Sequence, residues 1–384
     1  MTDTTIDLGW SVERSRDRRT KRWSQFDRDT IDLTVAEMDL PTAEPIAAAV
    51  ADAVARQAFG YPVPDESSGV PEAASAWLAE RHGLAVDPDR IRLLPELMRG
   101  VVHAVRQLTR PGSAVVVPTP VYGRFFDAIA VAGRQARQVP MRVQNGRYRL
   151  DLDAIGQALA DGAGSVLLCH PNNPTGTVTE PEELAGLAAL ADRHDARVIS
   201  DEIHAPLRYD TEFTPFAAVS ETAAERAITL FSATKAWNFP GLRCGLIAFT
   251  NPDDSAVWSA LPRAAVGGVT PLGMEATIAA FRQGQPWLRE ALDFLATNRA
   301  LVGDRLAGTG IGYVAPEAGY LAWLDLRRFG LADPAGFLRE QTGVATTPGS
   351  DHGTAGEGFV RLNFATPPDV LADALDRITG ALPR

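Results

Sequence analysis

Short, nearly continuous apolar runs alternate with helical patterns through the middle of this 384-residue chain. The runs are Ala114–Val117, Val166–Cys169, Arg197–Ser200, Ile228–Phe231 and Leu246–Phe249. Strands that are buried on both faces of a mostly parallel sheet have this unbroken apolar character, whereas half-exposed strands alternate apolar and polar residues. The succession of strand and helix therefore predicts an α/β fold built on a mostly parallel sheet.

A helical pattern lies between the second and third of these runs. Thr179 followed by Glu182 predicts a capping box at its start, and Pro181 lies in its first turn, where proline is tolerated. Apolar side chains then recur at helical spacing, at Leu184, Leu187, Ala188 and Ala191. The segment therefore predicts a strand–helix–strand unit.

Both ends of the chain depart from this alternation. The tail has a long helical stretch, then a predicted strand at Gly319–Leu326, a helix near Pro334–Glu340 and a strand at Phe359–Phe364. A chain of 384 residues is long enough for two domains. We therefore expect a large domain at residues 46–274 and a smaller α+β domain formed by residues 1–45 and 275–384.

Composition narrows the class of protein. A net charge of −11 gives no sign of the basic face that binding of nucleic acid requires. Cys169 and Cys244, the two cysteines, lie in apolar runs without a CxxC pair, which favours a reducing compartment over a disulfide scaffold. The N-terminus has no signal-peptide pattern, and no apolar run approaches the about 20 residues of a membrane span. We expect a cytoplasmic protein without nucleic-acid or membrane partners.

Polar loops follow three of the predicted strands. HPNNPTG occupies residues 170–176, DEIH occupies 201–204, and SATKAWNFPGLR occupies 232–243. In open α/β sheets, ligands bind outside the carboxyl ends of the strands. The three loops are therefore expected to converge on one site.

The third loop carries a candidate reactive lysine. Lys235 comes just after a strand, with Ser232 and Thr234 before it and Arg243 eight residues later. The Ser232 hydroxyl and the Arg243 donors suit a phosphate group. A lone lysine in such a position is most often an ordinary surface residue. A desolvated lysine beside cations has a lowered pKa, however, and can act as a Schiff-base nucleophile.

The motifs SATK…R and NNPTG, with an aspartate ending a strand, resemble the class I/II aminotransferase superfamily, the fold-type I pyridoxal-phosphate enzymes, over nearly the whole chain. Within it, the chain resembles C–S lyases of the cystathionine β-lyase type, through AEMD (36–39), FGYPVPDE (59–66), TPVYGRFF (119–126), SDEIH (200–204), YLAWLDLR (320–327) and GFVRLNFA (358–365). The resemblance implies a mostly parallel, seven-stranded-type sheet flanked by helices and a smaller α+β domain. It also implies pyridoxal 5′-phosphate, bound by the large domain, and a homodimer with shared active sites.

The resemblance also implies roles around the cofactor ring. Lys235 would hold the cofactor as a Schiff base and act as general acid and base. Asp201 would pair with the pyridinium nitrogen and so keep the ring an electron sink. Asn173 would bond the ring 3′-oxygen and approach the substrate carboxylate, and Tyr122 would stack on the ring. His204 would contact the ring or support Asp201, although a merely packed histidine fits equally well.

Several of these residues also have a purely structural explanation. Asp201 suits a helix N-cap, Asn173 suits a turn before proline, and Tyr122 suits the core. No HExxH-like spacing occurs among the histidines, so no metal is expected.

The phosphate is expected at the start of a helix predicted at 99–108, where the amides of Leu97 and Met98 would be donors. This loop reads PELM at 95–98, whereas many superfamily members carry Ser, Gly or Thr there. Glu96 would repel a phosphate unless it points away. By the same resemblance, Tyr61 would reach the phosphate of a neighbouring subunit.

The substrate is expected to be a small molecule of the amino-acid class. Arg361 resembles the arginine that binds the α-carboxylate, since its donor fork matches a carboxylate, although a surface salt bridge would explain it too. The Ala36 backbone would lie close to the same carboxylate. Residues that bind the distal group of the substrate are expected on loops, around Ala264–Pro271 and from the neighbouring subunit.

Four functions remain open on the sequence alone. The branch-level resemblance favours a C–S β-lyase that cleaves a cystathionine-like cysteine S-conjugate to thiol, pyruvate and ammonia. The alternatives are an aminotransferase and a decarboxylating or deaminating enzyme acting on a natural-product cysteine conjugate. A non-catalytic regulatory protein is the fourth, and the intact Lys235, Asp201, Asn173 and Arg361 speak against it.

Overall fold

The computed structural model describes residues 10–383. Its β-strands, in chain order, are β1 Ile31–Asp32, β2 Ile91–Leu94, β3 Val115–Thr119, β4 Ala136–Pro140, β5 Arg142–Gln144, β6 Arg147–Arg149, β7 Ser165–Cys169, β8 Arg197–Asp201, β9 Ala227–Phe231, β10 Gly245–Ala248, β11 Gly312–Tyr313, β12 Leu321–Asp325, β13 Val344–Ala345, β14 Thr347–Pro348 and β15 Phe359–Asn363. Its α-helices are α1 Val12–Asp17, α2 Glu44–Ala55, α3 Val70–His82, α4 Leu97–Gln107, α5 Arg124–Val131, α6 Leu152–Ala160, α7 Pro181–Arg193, α8 Glu221–Arg226, α9 Pro252–Ser259, α10 Arg263–Val266, α11 Pro271–Gln283, α12 Gln285–Leu306, α13 Pro334–Thr342 and α14 Pro368–Ala381.

Within residues 10–383, the central sheet has seven strands in the order β2-β10-β9-β8-β7-β3-β4. Strand β10 runs antiparallel to both of its neighbours, and the other pairs are parallel. The mostly parallel α/β sheet is thus confirmed. The five predicted strands are observed as β3, β7, β8, β9 and β10.

Both faces of the central sheet are covered by helices, which explains the unbroken apolar runs. Strands β3, β7, β9 and β10 are buried at every position. Val116 and Leu168 pack beneath α3, α6 and α7, whereas Val117 and Leu167 pack on the other face against α4 and α5. This alternation follows from the two-residue period of a strand. Burying each such side chain contributes roughly 1.5–3 kcal/mol.

Helix α7 begins one residue later than predicted. Its N-cap is Glu180, and the Glu183 carboxylate accepts a hydrogen bond from the Glu180 amide at 3.4 Å. The predicted Thr179–Glu182 capping box is therefore wrong in register. Pro181 explains the shift, because proline suits the first helical position and so makes the preceding residue the N-cap. The predicted apolar face, Leu184, Leu187, Ala188 and Ala191, is buried as expected.

A second, antiparallel sheet has the strand order β11-β12-β15-β14 and contains the strands predicted in the tail. Strand β1 pairs in parallel with β13, with Ile31 opposite Val344. This pairing ties the N-terminal segment to the C-terminal part of the chain. Helix α11 crosses the expected limit at residues 274 and 275, and the division into two domains stays a prediction.

The long helix α12 supports the smaller sheet. Leu288, Leu295 and Val302 are buried on one of its sides, in the same apolar cluster as residues of β12 and β15. Residues 10–383 contain no helix that combines the length and the apolar character needed to cross a bilayer.

Candidate active site

A cavity of about 940 Å³ opens at the carboxyl ends of the central strands. Most of the side chains singled out in the sequence line it, namely Ala36, Leu97, Met98, Tyr122, Asn173, Asp201, His204, Ser232, Lys235, Arg243 and Arg361. Of the predicted site residues, only Tyr61 is not part of the lining in the described chain. The expected convergence of the three loops is therefore present.

The sheet topology explains why these loops meet. Asp201 is the last residue of β8, Ser232 directly follows β9, and Asn173 lies four residues beyond β7. These three strands are adjacent and parallel, so their carboxyl ends share one edge of the sheet. Residues that are far apart in sequence thereby face one cavity.

Asp201 is a buried carboxyl group with few partners. The Ile203 amide donates to its Oδ1 at 3.2 Å. Burial raises the pKa of Asp201 to about 7, against the opposing effects of that amide and of the Lys235 charge. Such a group gains most from a cationic partner placed directly against it.

Lys235 lines the cavity, and its amine forms a hydrogen bond to a backbone carbonyl. Its Nζ donates to the Ala36 carbonyl at 2.8 Å. Burial lowers the pKa of the Lys235 amine to about 8, although the Glu37 carboxylate acts in the opposite direction. A lowered pKa increases the neutral fraction of an amine, which is its nucleophilic form.

The backbone around Ala36 is fixed by a side chain of the smaller sheet. Asn363, in β15, donates through Nδ2 to the carbonyls of Val35 and Glu37 at 2.6 and 2.7 Å. Asn363 is fully buried, so these bonds are shielded from water. The Ala36 carbonyl is thereby aimed at Lys235.

Arg361 is a buried cation without an acidic partner. It donates to Asn173 Oδ1 at 3.1 Å, to the Thr34 carbonyl at 2.9 Å and to the Thr347 hydroxyl at 3.2 Å. Burial lowers the pKa of Arg361 to about 10, so it still carries its charge at neutral pH. No carboxylate among residues 10–383 forms an ion pair with it, and its Nε has no hydrogen-bond partner there. The site is built to receive an anion.

The helix next to the cavity begins earlier than predicted. Helix α4 starts at Leu97 rather than Arg99, and Glu96 is its N-cap with an extended backbone and no side-chain capping bond. The sequence lacks a Ser, Thr, Asp or Asn that would have marked this start. The amides of Leu97 and Met98 therefore lie in the first turn, as an anion site requires. Glu96 is exposed, so its charge is hydrated.

The loop after β9 is tied together by hydroxyl groups. Ser232 donates to the Cys244 carbonyl at 2.7 Å and accepts from the Thr234 amide at 3.0 Å. The Ser232 and Thr234 hydroxyl oxygens lie 2.8 Å apart. Arg243 is exposed and forms no ion pair with any residue in 10–383. Its guanidinium is the most available charged donor of this loop.

Tyr122 and His204 border the cavity without bonding to Asp201. Burial raises the pKa of Tyr122 above its usual value. Burial and the charges of Lys235 and Arg361 lower the pKa of His204 to about 3, which keeps its ring neutral. Nδ1 of His204 has no hydrogen-bond partner in the described part of the chain. The histidine thus packs beside the cavity as an uncharged ring.

Tyr61 lies away from the cavity of its own chain. It is fully exposed, at 102 % relative accessibility, in a segment where Phe59 is also exposed. Among residues 10–383, Tyr61 is therefore the predicted site residue that does not line the cavity.

Sequence reasoning missed several residues of the site. Thr347 lies opposite Arg361 in the β14–β15 pair and bonds to it. His352 is buried on the cavity wall, with Nδ1 bonded to the Val121 carbonyl at 3.1 Å. Neither belongs to a recognisable motif, since the β14–β15 register brings in Thr347 and a long-range contact with Val121 brings in His352. Thr34, whose carbonyl accepts from Arg361, stands two residues before the AEMD segment, and this position was the signal that the sequence offered for it.

Comparisons with known proteins agree with this geometry. Residues 28–378 match the family model described as aminotransferase class I and II. The chain is 38% identical over 375 residues to a cystathionine β-lyase of Corynebacterium glutamicum, covering 97% of this chain and 99% of the relative. It is 33% identical over 363 residues to a cystathionine β-lyase of Bacillus subtilis, covering 92% of this chain and 93% of the relative.

A solved structure supports the same conclusion. The pyridoxal-phosphate-bound C–S lyase of Staphylococcus hominis matches with a TM-score of 0.89 at 26% identity, covering 95% of this chain and 96% of that chain. The expected fold-type I architecture and the resemblance to C–S lyases are both confirmed. The chain belongs to the aminotransferase class I and II family.

Proposed function

We propose that this protein is a pyridoxal-phosphate-dependent C–S β-lyase that cleaves a cysteine S-conjugate of the cystathionine type. The observation that carries the proposal is the convergence of Lys235, Asp201 and Arg361 on one cavity. Two of these groups have pKa values moved toward neutrality, about 8 for Lys235 and about 7 for Asp201. Relatives that match nearly the whole chain are cystathionine β-lyases.

The residues of the cavity fit pyridoxal 5′-phosphate. Asp201 is a buried carboxyl group without an ion-pair partner among residues 10–383, and a protonated pyridine nitrogen would supply one. The amides of Leu97 and Met98, the Ser232 hydroxyl and the Arg243 guanidinium would hold the phosphate. When bound, the cofactor supplies an electron sink for a carbanion at the substrate Cα.

Other residues would place the ring. Tyr122 borders the cavity with its ring available for stacking, and Asn173 presents its amide beside Arg361. His204 would pack against the ring as a neutral group, since the pKa of His204 is about 3. Lys235 would carry the cofactor as a Schiff base, because it is the amine at the centre of this set.

The substrate would be oriented by its α-carboxylate. Arg361 offers a donor fork with one nitrogen free, and the carboxylate would pair with it bidentately, close to the Ala36 backbone. Once the substrate amine has displaced Lys235 from the cofactor, the freed lysine amine would take the Cα proton while the Cβ–S bond breaks, and the electron pair of that bond would leave with sulfur as a thiolate. The proton returns to the thiolate. The released 2-aminoacrylate takes up one water to give pyruvate and ammonium.

The enzyme would work as a homodimer with shared sites. Phe59 and Tyr61 are exposed at 66 % and 102 %, and Val63 beside them is half exposed, which is unusual for apolar side chains on a free surface. In a dimer this segment would lie against the neighbouring subunit, where Tyr61 would reach the phosphate. Among the described residues, loop 264–271 does not line the cavity that holds Lys235, so any contact of this loop with substrate would also be in the partner's site.

The remaining expectations belong to the same proposal. The large domain would comprise residues 46–274, and the smaller domain residues 1–45 and 275–384. Both cysteines are buried and free, which is compatible with a reducing cytoplasm. The acidic net charge of −11 does not favour a nucleic-acid partner.

The test is an assay of the purified, cofactor-loaded protein with L-cystathionine and no added keto acid. We expect pyruvate and thiol to form in equal amounts. A strict need for a keto acid would instead support an aminotransferase, and release of carbon dioxide would support the decarboxylating alternative. A protein that binds no cofactor and turns over none of these substrates would contradict an enzymatic role.

A further inference from the structure

The cavity extends beyond the groups assigned to cofactor and α-carboxylate. Its outer wall is formed by the N-terminal segment and by helix α13 of the smaller domain. We define the outer rim as Lys21, Gln25, Phe26, Ala335, Gly336 and Arg339. None of these residues belongs to the motifs that pointed to the cofactor, so the outer rim is free to bind the distal part of a substrate.

The outer rim is connected directly to Arg361. The Thr34 carbonyl accepts from Arg361 at 2.9 Å, and the Thr34 hydroxyl accepts from Gln25 at 2.6 Å. Gln25 also donates to the Asp32 carboxylate at 2.9 Å. Asp32 lies in strand β1, which pairs with β13. One hydrogen-bonded wall therefore runs from the proposed carboxylate site outward to the rim.

Helix α13 presents one face to the cavity. Ala335, Gly336 and Arg339 lie at positions that share a face of a helix, and all three line the cavity. The helix is fixed at its start, because the Asp333 side chain accepts from the Gly336 amide at 3.0 Å. Ala335 and Gly336 leave space in the cavity beside this helix, and the exposed side chain of Arg339 lies on the outer rim.

Two residues of the rim are exposed cations, Lys21 and Arg339. Neither forms an ion pair with any residue in 10–383, although the Asp333 side chain also lines this cavity. By contrast, Arg124 on the same cavity is paired with Asp127 at 2.9 Å. Once Arg361 has taken the α-carboxylate and Arg243 the phosphate, Lys21 and Arg339 are the cations left on this wall.

We infer that Lys21 and Arg339 bind a carboxylate at the distal end of the substrate. This inference rests on the proposed function and deepens it. It assigns the enzyme to S-conjugates that carry a second carboxylate, as L-cystathionine does, in preference to S-alkyl cysteines. The distal carboxylate lies toward the mouth, and the thioether lies between it and the reacting carbons.

The test compares two substrates of equal length, S-(2-carboxyethyl)-L-cysteine and S-propyl-L-cysteine, which differ by the distal carboxylate. For wild-type holoenzyme we expect kcat/KM to be at least tenfold higher for the carboxylated conjugate. In the double variant Lys21→Gln/Arg339→Gln this preference falls about tenfold, through KM and not kcat. Raising the ionic strength lowers the wild-type preference, since exposed charges are screened. Arg124→Gln is the matched control, because the Arg124 charge is already paired with Asp127. In this variant the preference for the carboxylated conjugate stays as in wild type.

Unreactive analogues separate this inference from the proposed function. 2-Aminopimelate and 2-aminoheptanoate replace sulfur by a methylene, so they cannot undergo elimination, and their binding is followed through the cofactor absorbance. We expect the double variant to weaken binding of 2-aminopimelate about tenfold and to leave 2-aminoheptanoate unaffected. Equal losses for both analogues, or an equal loss in Arg124→Gln, would overturn the inference. A failure of both conjugates to release thiol and pyruvate would contradict the proposed function, while the binding data would still decide on the rim.

Discussion

The amine of Lys235 and the hydroxyl of Tyr320 donate to the same acceptor, the Ala36 carbonyl, at 2.8 and 3.0 Å. Tyr320 is fully buried directly before strand β12 of the smaller sheet, and Lys235 follows a strand of the central sheet. The N-terminal segment thus holds the lysine by a backbone oxygen that also accepts from the side chain next to β12.

Replacing Tyr320 by phenylalanine removes one of these two bonds. A hydrogen bond of this kind contributes about 1 kcal/mol, so we expect kcat to fall about five- to tenfold with little change in KM. Steady-state kinetics measure both constants. Tyr209→Phe is the matched control, because its hydroxyl donates to the nearby Gly319 carbonyl at 2.7 Å and not to Ala36. A similar loss of kcat in the control would refute the positioning role.

Lys235 is one of only two lysines in the chain, the other being Lys21. Borohydride reduction of the holoenzyme should therefore attach the cofactor to a single tryptic peptide containing Lys235, as mass spectrometry would show. Lys235→Ala should lose the visible absorbance of the lysine-linked cofactor, and turnover should drop at least about a thousandfold. Label on Lys21, or retained turnover in Lys235→Ala, would contradict the assignment.

Asp201 predicts a pH-dependent stability of the cofactor-free protein. Because the pKa of Asp201 is raised from 3.8 to about 7, the folded state binds more protons than the unfolded state between these values. Stability therefore decreases as the pH rises from about 4 to about 7, by roughly 4 kcal/mol at most. Asp201→Asn should lack this component, which urea unfolding at pH 5 and pH 7.5 would measure.

The comparison between wild type and Asp201→Asn isolates this group from its neighbour. Burial raises the pKa of Glu202 to about 8, which gives a component of the same sign in both proteins. Adding pyridoxal phosphate should restore the stability of wild type at pH 7.5, because a ligand that binds only the folded state stabilises it. A pH dependence that is identical in both proteins would exclude Asp201 as its source.

We expect binding of the substrate α-carboxylate to require the planar donor fork of Arg361 as well as its positive charge. Arg361→Lys keeps the charge but loses the fork that bonds Asn173, Thr34 and Thr347. We expect kcat/KM to fall about a hundredfold in this variant, mainly through KM. Arg328→Lys, outside the cavity lining, is the matched control and should be unaffected. A wild-type KM in Arg361→Lys would rule out bidentate binding of the α-carboxylate.

Tyr61 predicts that cofactor retention depends on a second subunit. Because its side chain is fully exposed in the monomer, Tyr61→Ala should change the free energy of unfolding of one subunit by less than about 0.5 kcal/mol. We nevertheless expect the variant to lose pyridoxal phosphate faster on dialysis than wild type. Sedimentation would check that both are dimers, and wild-type retention by a dimeric variant would contradict the proposed contact.

The strands of the central sheet could be predicted from the sequence because helices bury both faces of the sheet. A strand that is buried on both faces is apolar at nearly every position, which marks it in the sequence. The direction of β10 was not readable, since a strand that is buried on both faces has the same composition in either direction. The start of α4 at Leu97 was also missed, because Glu96 is an unusual N-cap.

The predicted site residues followed from motifs that are local in sequence, such as the loop around Lys235. Thr347 depends instead on the register of the β14–β15 pair, for which one sequence carries no signal. Tyr320 opens the YLAWLDLR motif, but the sequence does not show its bond to the Ala36 carbonyl, nor the contact of His352 with Val121. The outer rim likewise depends on residues that are far apart in the chain. Lys21 and Arg339 are 318 residues apart and border one cavity only through tertiary packing.

The pairing of β1 with β13 has a consequence for the order of assembly. During synthesis, the strand at Ile31–Asp32 emerges early and has no partner until residues 344 and 345 have been made. Thr34, whose carbonyl accepts from Arg361, comes two residues after this strand. Contacts of such long sequence separation form late and slowly. The central sheet can therefore fold before residues 344 and 345 have been made, whereas the pocket for the substrate closes only after them.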